Sequence, residues 1–167
     1  MTPTRILRIA AAFLAAWALS WHAGSMAAVV QEVRVLFEPA TITLPDTTGL
    51  KIEVKTSQGG IDEGMDIEVP LPSGLSSVGA MTFEDCFGAT NISTSTSVMF
   101  ITGLKSRPGR TCKMGIGIGA SDAGSYIFAP GSIIVRSEGR SSGNTEQALL
   151  NVLAAPPAVL VASPAAL

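Results

Sequence analysis

The chain has 167 residues, 11 Lys and Arg against 13 Asp and Glu, a formal net charge of −2 and 47% hydrophobic residues. That length fits one domain, and without a surplus of cations it has little with which to hold a nucleic-acid backbone. One histidine and two cysteines leave little for zinc sites or for nucleophile–imidazole catalysis.

Arg5 and Arg8 give a positive start, an apolar run follows from Ile9 to Trp21, and Ser25-Met26-Ala27 supplies small residues at the positions a signal peptidase inspects. Residues 1–27 therefore read as a signal peptide cut after Ala27. The apolar run falls short of the roughly 20 residues that span a bilayer, and no cysteine near the cut could carry a lipid. Cleavage removes His22, Trp17, Trp21, Arg5 and Arg8, leaving 9 basic against 13 acidic residues, a net charge of about −4. The expectation is an acidic exported domain, periplasmic or extracellular, with no membrane span once the leader is gone.

Residues 28–153 read as that domain. Val33, Val35 and Phe37 alternate with Arg34 and Leu36, as on a half-buried strand, and Thr41 to Leu44 resumes after Pro39. Beyond the turn at Pro45-Asp46-Thr47-Thr48-Gly49, Leu50 to Lys55 alternates most cleanly between core and solvent. Met65 to Val69 alternates again and ends in the rigid turn Pro70-Leu71-Pro72-Ser73-Gly74. Val78–Phe83, Val98–Ile101, Cys112–Ile118, Tyr126–Phe128, Ser132–Arg136 and Ala148–Val152 are further predicted strands. Short strands parted by Gly, Pro, Ser and Asp, with no good helix, predict an all-β, immunoglobulin-like antiparallel β-sandwich of about seven to nine strands. Residues 154–167, a Pro- and Ala-rich stretch without alternation or charge, read as a disordered tail.

Cys86 and Cys112 lie 26 positions apart, and in an oxidising compartment the expected state is a disulfide. Closing that loop stabilises the fold by about 3.5 kcal/mol in the chain-entropy treatment. No Cys-x-x-Cys and no histidine supports the rival readings of a redox pair or metal site. Met114-Gly115-Ile116-Gly117-Ile118-Gly119 is not a phosphate loop. Its even spacing puts Cys112, Met114, Ile116 and Ile118 on one face and the glycines on the other, a strand whose outer side lies close to another backbone. Asp62, Glu63, Asp66 and Glu68 read as a solvated acidic stretch without EF-hand spacing, so no metal site is expected. Carboxylate pairs are the one catalytic arrangement left, yet the aromatic platforms that usually accompany them are scarce, and neither catalytic residue nor cofactor is expected. Asp122-Ala123-Gly124-Ser125-Tyr126 has the Asp-x-Gly-x-Tyr form of a tyrosine corner. Asp122, Gly124 and Tyr126 are thus structural candidates, the hydroxyl bonding back to the preceding loop.

Phe37-Glu38-Pro39, Leu71-Pro72-Ser73-Gly74-Leu75, the two cysteines, Gly124-Ser125-Tyr126 and Pro130-Gly131 occur in an order that resembles bacterial Ig-like surface repeats catalogued as domain of unknown function eleven. The resemblance spans about Val33 to Val152. It implies a β-sandwich, export, a Cys86–Cys112 disulfide and a structural or adhesive role. Val69-Pro70 and Phe128 depart from the family pattern, and the repeat is solitary. The expected function is non-enzymatic, a structural, adhesive or partner-binding role at the cell envelope. Gly59–Gly64, Phe87–Ser97 and Lys105–Arg110 are the candidate contact loops, for a protein or a cell-surface polymer. The alternatives are a carbohydrate-binding accessory module and a pilus-type subunit assembling by strand exchange.

Overall fold

A computed structural model of the chain describes residues 30–57, 61–95, 97–107 and 109–157, with 61–63 as backbone only. The predicted leader and most of the predicted tail lie outside the described residues; Ala154 to Pro157 are exposed and carry no regular structure.

Thirteen strand segments occur among the described residues: β1 (Val30–Glu38), β2 (Thr41–Thr43), β3 (Thr47–Thr56), β4 (Ile61–Pro70), β5 (Leu75–Glu84), β6 (Cys86–Phe87), β7 (Asn91–Thr94), β8 (Val98–Ser106), β9 (Thr111–Ala120), β10 (Gly124–Phe128), β11 (Ile134–Ser137), β12 (Arg140–Gly143) and β13 (Ala148–Leu153). One sheet has the order β1-β3-β9-β5. The other side is built from β10-β13-β2 and from β12-β11-β4-β8-β6, with β7 also on β8. Every pairing is antiparallel except β13 with β2.

Several segments are halves of one passage of chain. β1 and β2 are parted at Glu38-Pro39, β6 and β7 lie in line along β8, and the hairpin of β10–β11 against β12–β13 is interrupted on both arms. Nine passages result, an all-β Ig-like sandwich of the expected kind.

Strict alternation builds the core. On β3, Leu50, Ile52 and Val54 are buried while Lys51 and Lys55 are exposed, and β9 opposes them with Cys112, Met114, Ile116 and Ile118. From the other layer come Met65, Ile67 and Val69 of β4 and Met99, Ile101 and Leu104 of β8. Phe37 meets Phe128 with ring centroids 5.7 Å apart. Truncating a fully buried residue such as Leu50 or Ile101 to alanine costs about 2–5 kcal/mol at such sites.

The glycine strand behaves as its spacing implies. A Cβ on Gly117 would lie 2.6 Å from the Val78 carbonyl oxygen, because β5 bulges between Val78 and Thr82 and leans over β9.

The structure departs from the sequence reading at four places. Phe87–Ser97, expected as a loop, holds β7 and the end of β6. Residues of an edge strand with solvent around them need no alternation, which hides them from pattern reading. Lys105 and Ser106 belong to β8 rather than to a loop, and Ile61 to Gly64 to β4 rather than to the preceding loop. The segment Arg140-Ser141-Ser142-Gly143, assigned no strand from sequence, pairs with β11.

Candidate functional site

The sulfur pair stands at one end of the sandwich. After β5 the chain leaves the four-stranded sheet through Asp85, in the left-handed region at φ 56°, and enters the edge of the other layer as β6. Cys86 then bonds Cys112 of β9, with Cα atoms 5.0 Å apart, so a covalent link joins the layers where the chain crosses between them. Beside it, the buried hydroxyls of Thr56 on β3 and Ser106 on β8 meet at 3.1 Å, a second link between the layers. No described cysteine is free.

Above this stapled end two of the expected contact segments converge. β3 leads into β4 beside the β8–β9 turn, since Ile61 pairs with Ser106 and Lys55 with Thr111. The turn is closed by the Arg110 amide donating to the Arg107 carbonyl at 3.1 Å, and Arg107, Arg110 and Lys55 are all exposed there. The third segment is not part of this cluster: β6 and β7 run along the sheet edge toward the opposite end, where Leu71 N–H donates to the Ser97 carbonyl.

The corner residues lie at that opposite end. Tyr126 Oη donates to the Asp122 carbonyl at 2.9 Å, and Ser121 N–H donates to the Gly74 carbonyl at 2.9 Å. Gly74 sits at φ 91°, and a Cβ there would come within 3.0 Å of the Tyr126 hydroxyl, so the Leu71–Leu75 turn and the corner are packed as one unit. Nothing lies within 4 Å of a Cβ built on Gly124.

Sequence reading missed Asn144. It is 2% exposed and fills the interruption in the hairpin, where its Oδ1 accepts from Ile133 N–H at 3.0 Å and its Nδ2 donates to the carbonyls of Ala129 and Glu146 at 2.9 and 2.8 Å. Gly-Asn-Thr reads as an ordinary turn in sequence; two of the three partners that make this asparagine structural, Ile133 and Ala129, come from across the hairpin.

The acidic candidates are spoken for where described. Asp66 Oδ1 accepts from Gly103 N–H at 3.1 Å, holding the irregular stretch of β8 to β4, and Glu68 pairs with Arg136 at 2.9 Å. The side chains of Asp62 and Glu63 lie outside the described residues. Among those described, no three His, Cys, Asp or Glu converge to hold a metal.

Across the outer face of the four-stranded sheet, Arg34, Glu53, Lys113 and Glu84 stand in register, one per strand and alternating in sign. Glu53, Lys113 and Glu84 flank an open groove of about 390 Å³ that also takes in Lys51, Thr82 and Phe83. Lys113 lies between the two glutamates and pairs with Glu84 at 3.3 Å. A surface ion pair of this kind contributes at most about 1 kcal/mol.

No protein-family model matches the chain, and no curated protein sequence matches it. Among solved structures, it is similar to the cohesin module of a Clostridium perfringens ATCC13124 family 33 glycoside hydrolase, at 4% identity and a TM-score of 0.48 over 75% of this chain and 98% of that one. It is likewise similar to the seventh ScaB type I cohesin from Pseudobacteroides cellulosolvens (12% identity, TM-score 0.47, 75% and 95% covered). BslA, a bacterial hydrophobin, gives 13% identity and a TM-score of 0.44 over 77% of this chain and 98% of BslA. Likeness at this level concerns the layout of strands and carries nothing about activity. Among the described residues no helix is long and apolar enough to cross a membrane.

Proposed function

We propose that this chain is an exported, non-catalytic Ig-like module with a structural, adhesive or partner-binding role at the cell envelope, in the periplasm or outside the cell. The observation that carries this reading is the Cys86–Cys112 bond between the layers, since such bonds persist in oxidising compartments. The special polar side chains support it, because Tyr126, Asn144 and Asp66 are each engaged by backbone groups of the fold. Membership among the surface-repeat domains is part of the same proposal.

The contact surface in this reading is the stapled end, where Lys55, Arg107 and Arg110 form a cationic tip on an acidic protein. An anionic envelope polymer or an acidic protein surface complements it. Purified protein should bind isolated cell envelopes saturably, and the paired substitution Arg107→Ser with Arg110→Ser should weaken binding several-fold, most at low salt. Binding that ignores both substitutions, or turnover of a model glycoside or ester, would defeat the proposal.

A carbohydrate-binding role is the second reading. Phe100 and Phe87 are 43% and 48% exposed and stand on the side of the sheet away from the core, with the hydroxyls of Thr90 and Thr102 between them. Ring faces of this kind stack on sugars. A glycan array with signal that disappears in Phe100→Ala would replace the first reading with this one.

A further inference from the structure

The geometry points to β7 as a self-pairing edge, through which two copies of this chain join their sheets antiparallel about Ser93. The surface is separate from the cationic tip, and the inference does not rest on the proposed function.

The sheets end in strands that carry unpaired backbone groups, and natural sheets blunt such edges with charge, proline, bulges or shortness. β5 carries Glu84 and the bulge between Val78 and Thr82. β2 is three residues long, with Pro39 and Pro45 close by. β1 carries Glu32, Arg34 and Glu38 and packs beside β12 and β13. The β6–β7 edge is also short, at two and four residues, yet β7 has neither charge nor proline to blunt it. From Gly88 to Ser97 the sequence holds no charged residue and no proline, all four residues of β7 are exposed, and among the described residues β7 pairs only with β8.

The hydrogen-bond phase of β7 makes the edge self-complementary. Ser95 N–H donates to the Val98 carbonyl at 2.9 Å, so Ser95 and Val98 form a hydrogen-bonded pair. In an antiparallel ladder these alternate with non-bonded pairs, which makes Ser93–Phe100 and Asn91–Thr102 bonded and turns the N–H and C=O of Ile92 and Thr94 away from β8. Two such edges related by a two-fold axis through Ser93 place Ile92 opposite the partner copy's Thr94, and the reverse. Each pairing exchanges two backbone hydrogen bonds, four in all.

The side chains agree. Ser93 meets its own copy with a small hydroxymethyl group, and the uncharged stretch brings no like charges together although the chain as a whole is acidic. The turn that presents β7 is held by Ser95 Oγ, which donates to the Val98 carbonyl at 2.8 Å and accepts from Val98 N–H at 3.0 Å. A four-residue edge buries less than the roughly 1,200 Å² of stable complexes, so the dimer is a transient one that forms at high local concentration.

Sedimentation equilibrium on the protein as isolated from the cell should show a mass rising toward dimer between about 20 µM and 1 mM, the range of a weak, small interface. Amide exchange of Ile92 and Thr94 should slow over the same range. Ser93→Lys, which sets two ammonium groups face to face on an exposed position, should abolish both effects while the Tyr126 near-ultraviolet signal stays unchanged. Glu84→Lys, on the β5 edge, should leave association intact. A mass that stays monomeric to 1 mM, association that survives Ser93→Lys, or association without protection of the two amides would each overturn the inference. Protection of Ile92 and Thr94 seen only when envelope material is added would overturn it too, assigning the edge to a foreign strand.

Discussion

Replacing Asn144 with alanine tests how the interrupted hairpin is held. The substitution removes three hydrogen bonds, one from the amide of Ile133, a residue with no exposed surface, and two to the carbonyls of Ala129 and Glu146, which belong to exposed residues. The orphaned Ile133 N–H costs about 1–3 kcal/mol, and the two carbonyls, able to turn to water, about 0.5 kcal/mol each, for a total near 3 kcal/mol. For a domain of this size that lowers the melting temperature by about 10 °C. Urea unfolding followed by far-ultraviolet circular dichroism reads the change directly. Asn144→Asp sharpens the test. When protonated, the carboxyl still accepts from Ile133 and donates to one carbonyl; when ionised, it faces two carbonyl oxygens, which raises its folded-state pKa above the unfolded value. The added destabilisation is therefore small at acid pH and grows as pH rises past about 3.9. A loss below about 0.5 kcal/mol for Asn144→Ala, or a pH-independent Asn144→Asp, would refute the role assigned to this side chain.

Three further outcomes are expected. Cys86→Ser with Cys112→Ser should lower stability by about 3.5 kcal/mol in chemical denaturation, with the far-ultraviolet spectrum retained. Gly117→Ala, which drives a Cβ toward the Val78 carbonyl, should cost about 1–3 kcal/mol and raise amide exchange along β5, whereas Gly124→Ala, with open space around it, should cost less than about 1 kcal/mol. Tyr126→Phe should cost about 1 kcal/mol by removing the bond to the Asp122 carbonyl, measured by thermal melting.

Much of the fold was legible because its layers are half-buried. Leu50 to Lys55 alternates since one face meets the core and the other meets water, and the even glycines of β9 announce a backbone close by, supplied by Val78. What stayed hidden has the opposite physics. β7 and β12 are polar edge segments without a buried face to print a period, so their sequences read as loop. Two of the three partners of Asn144 lie more than ten residues away and that of Asp66 more than thirty, and no local pattern encodes such a meeting. The sulfur pair was legible from compartment and count. That it ties one layer to the other at a crossover required the sheet order.

Peptide mapping under non-reducing conditions, on protein recovered from fractionated cells, tests the central claim most directly. The account predicts one linked pair of peptides containing Cys86 and Cys112, from protein found outside the cytoplasm. Two free thiols, or protein confined to the cytoplasm, would contradict it.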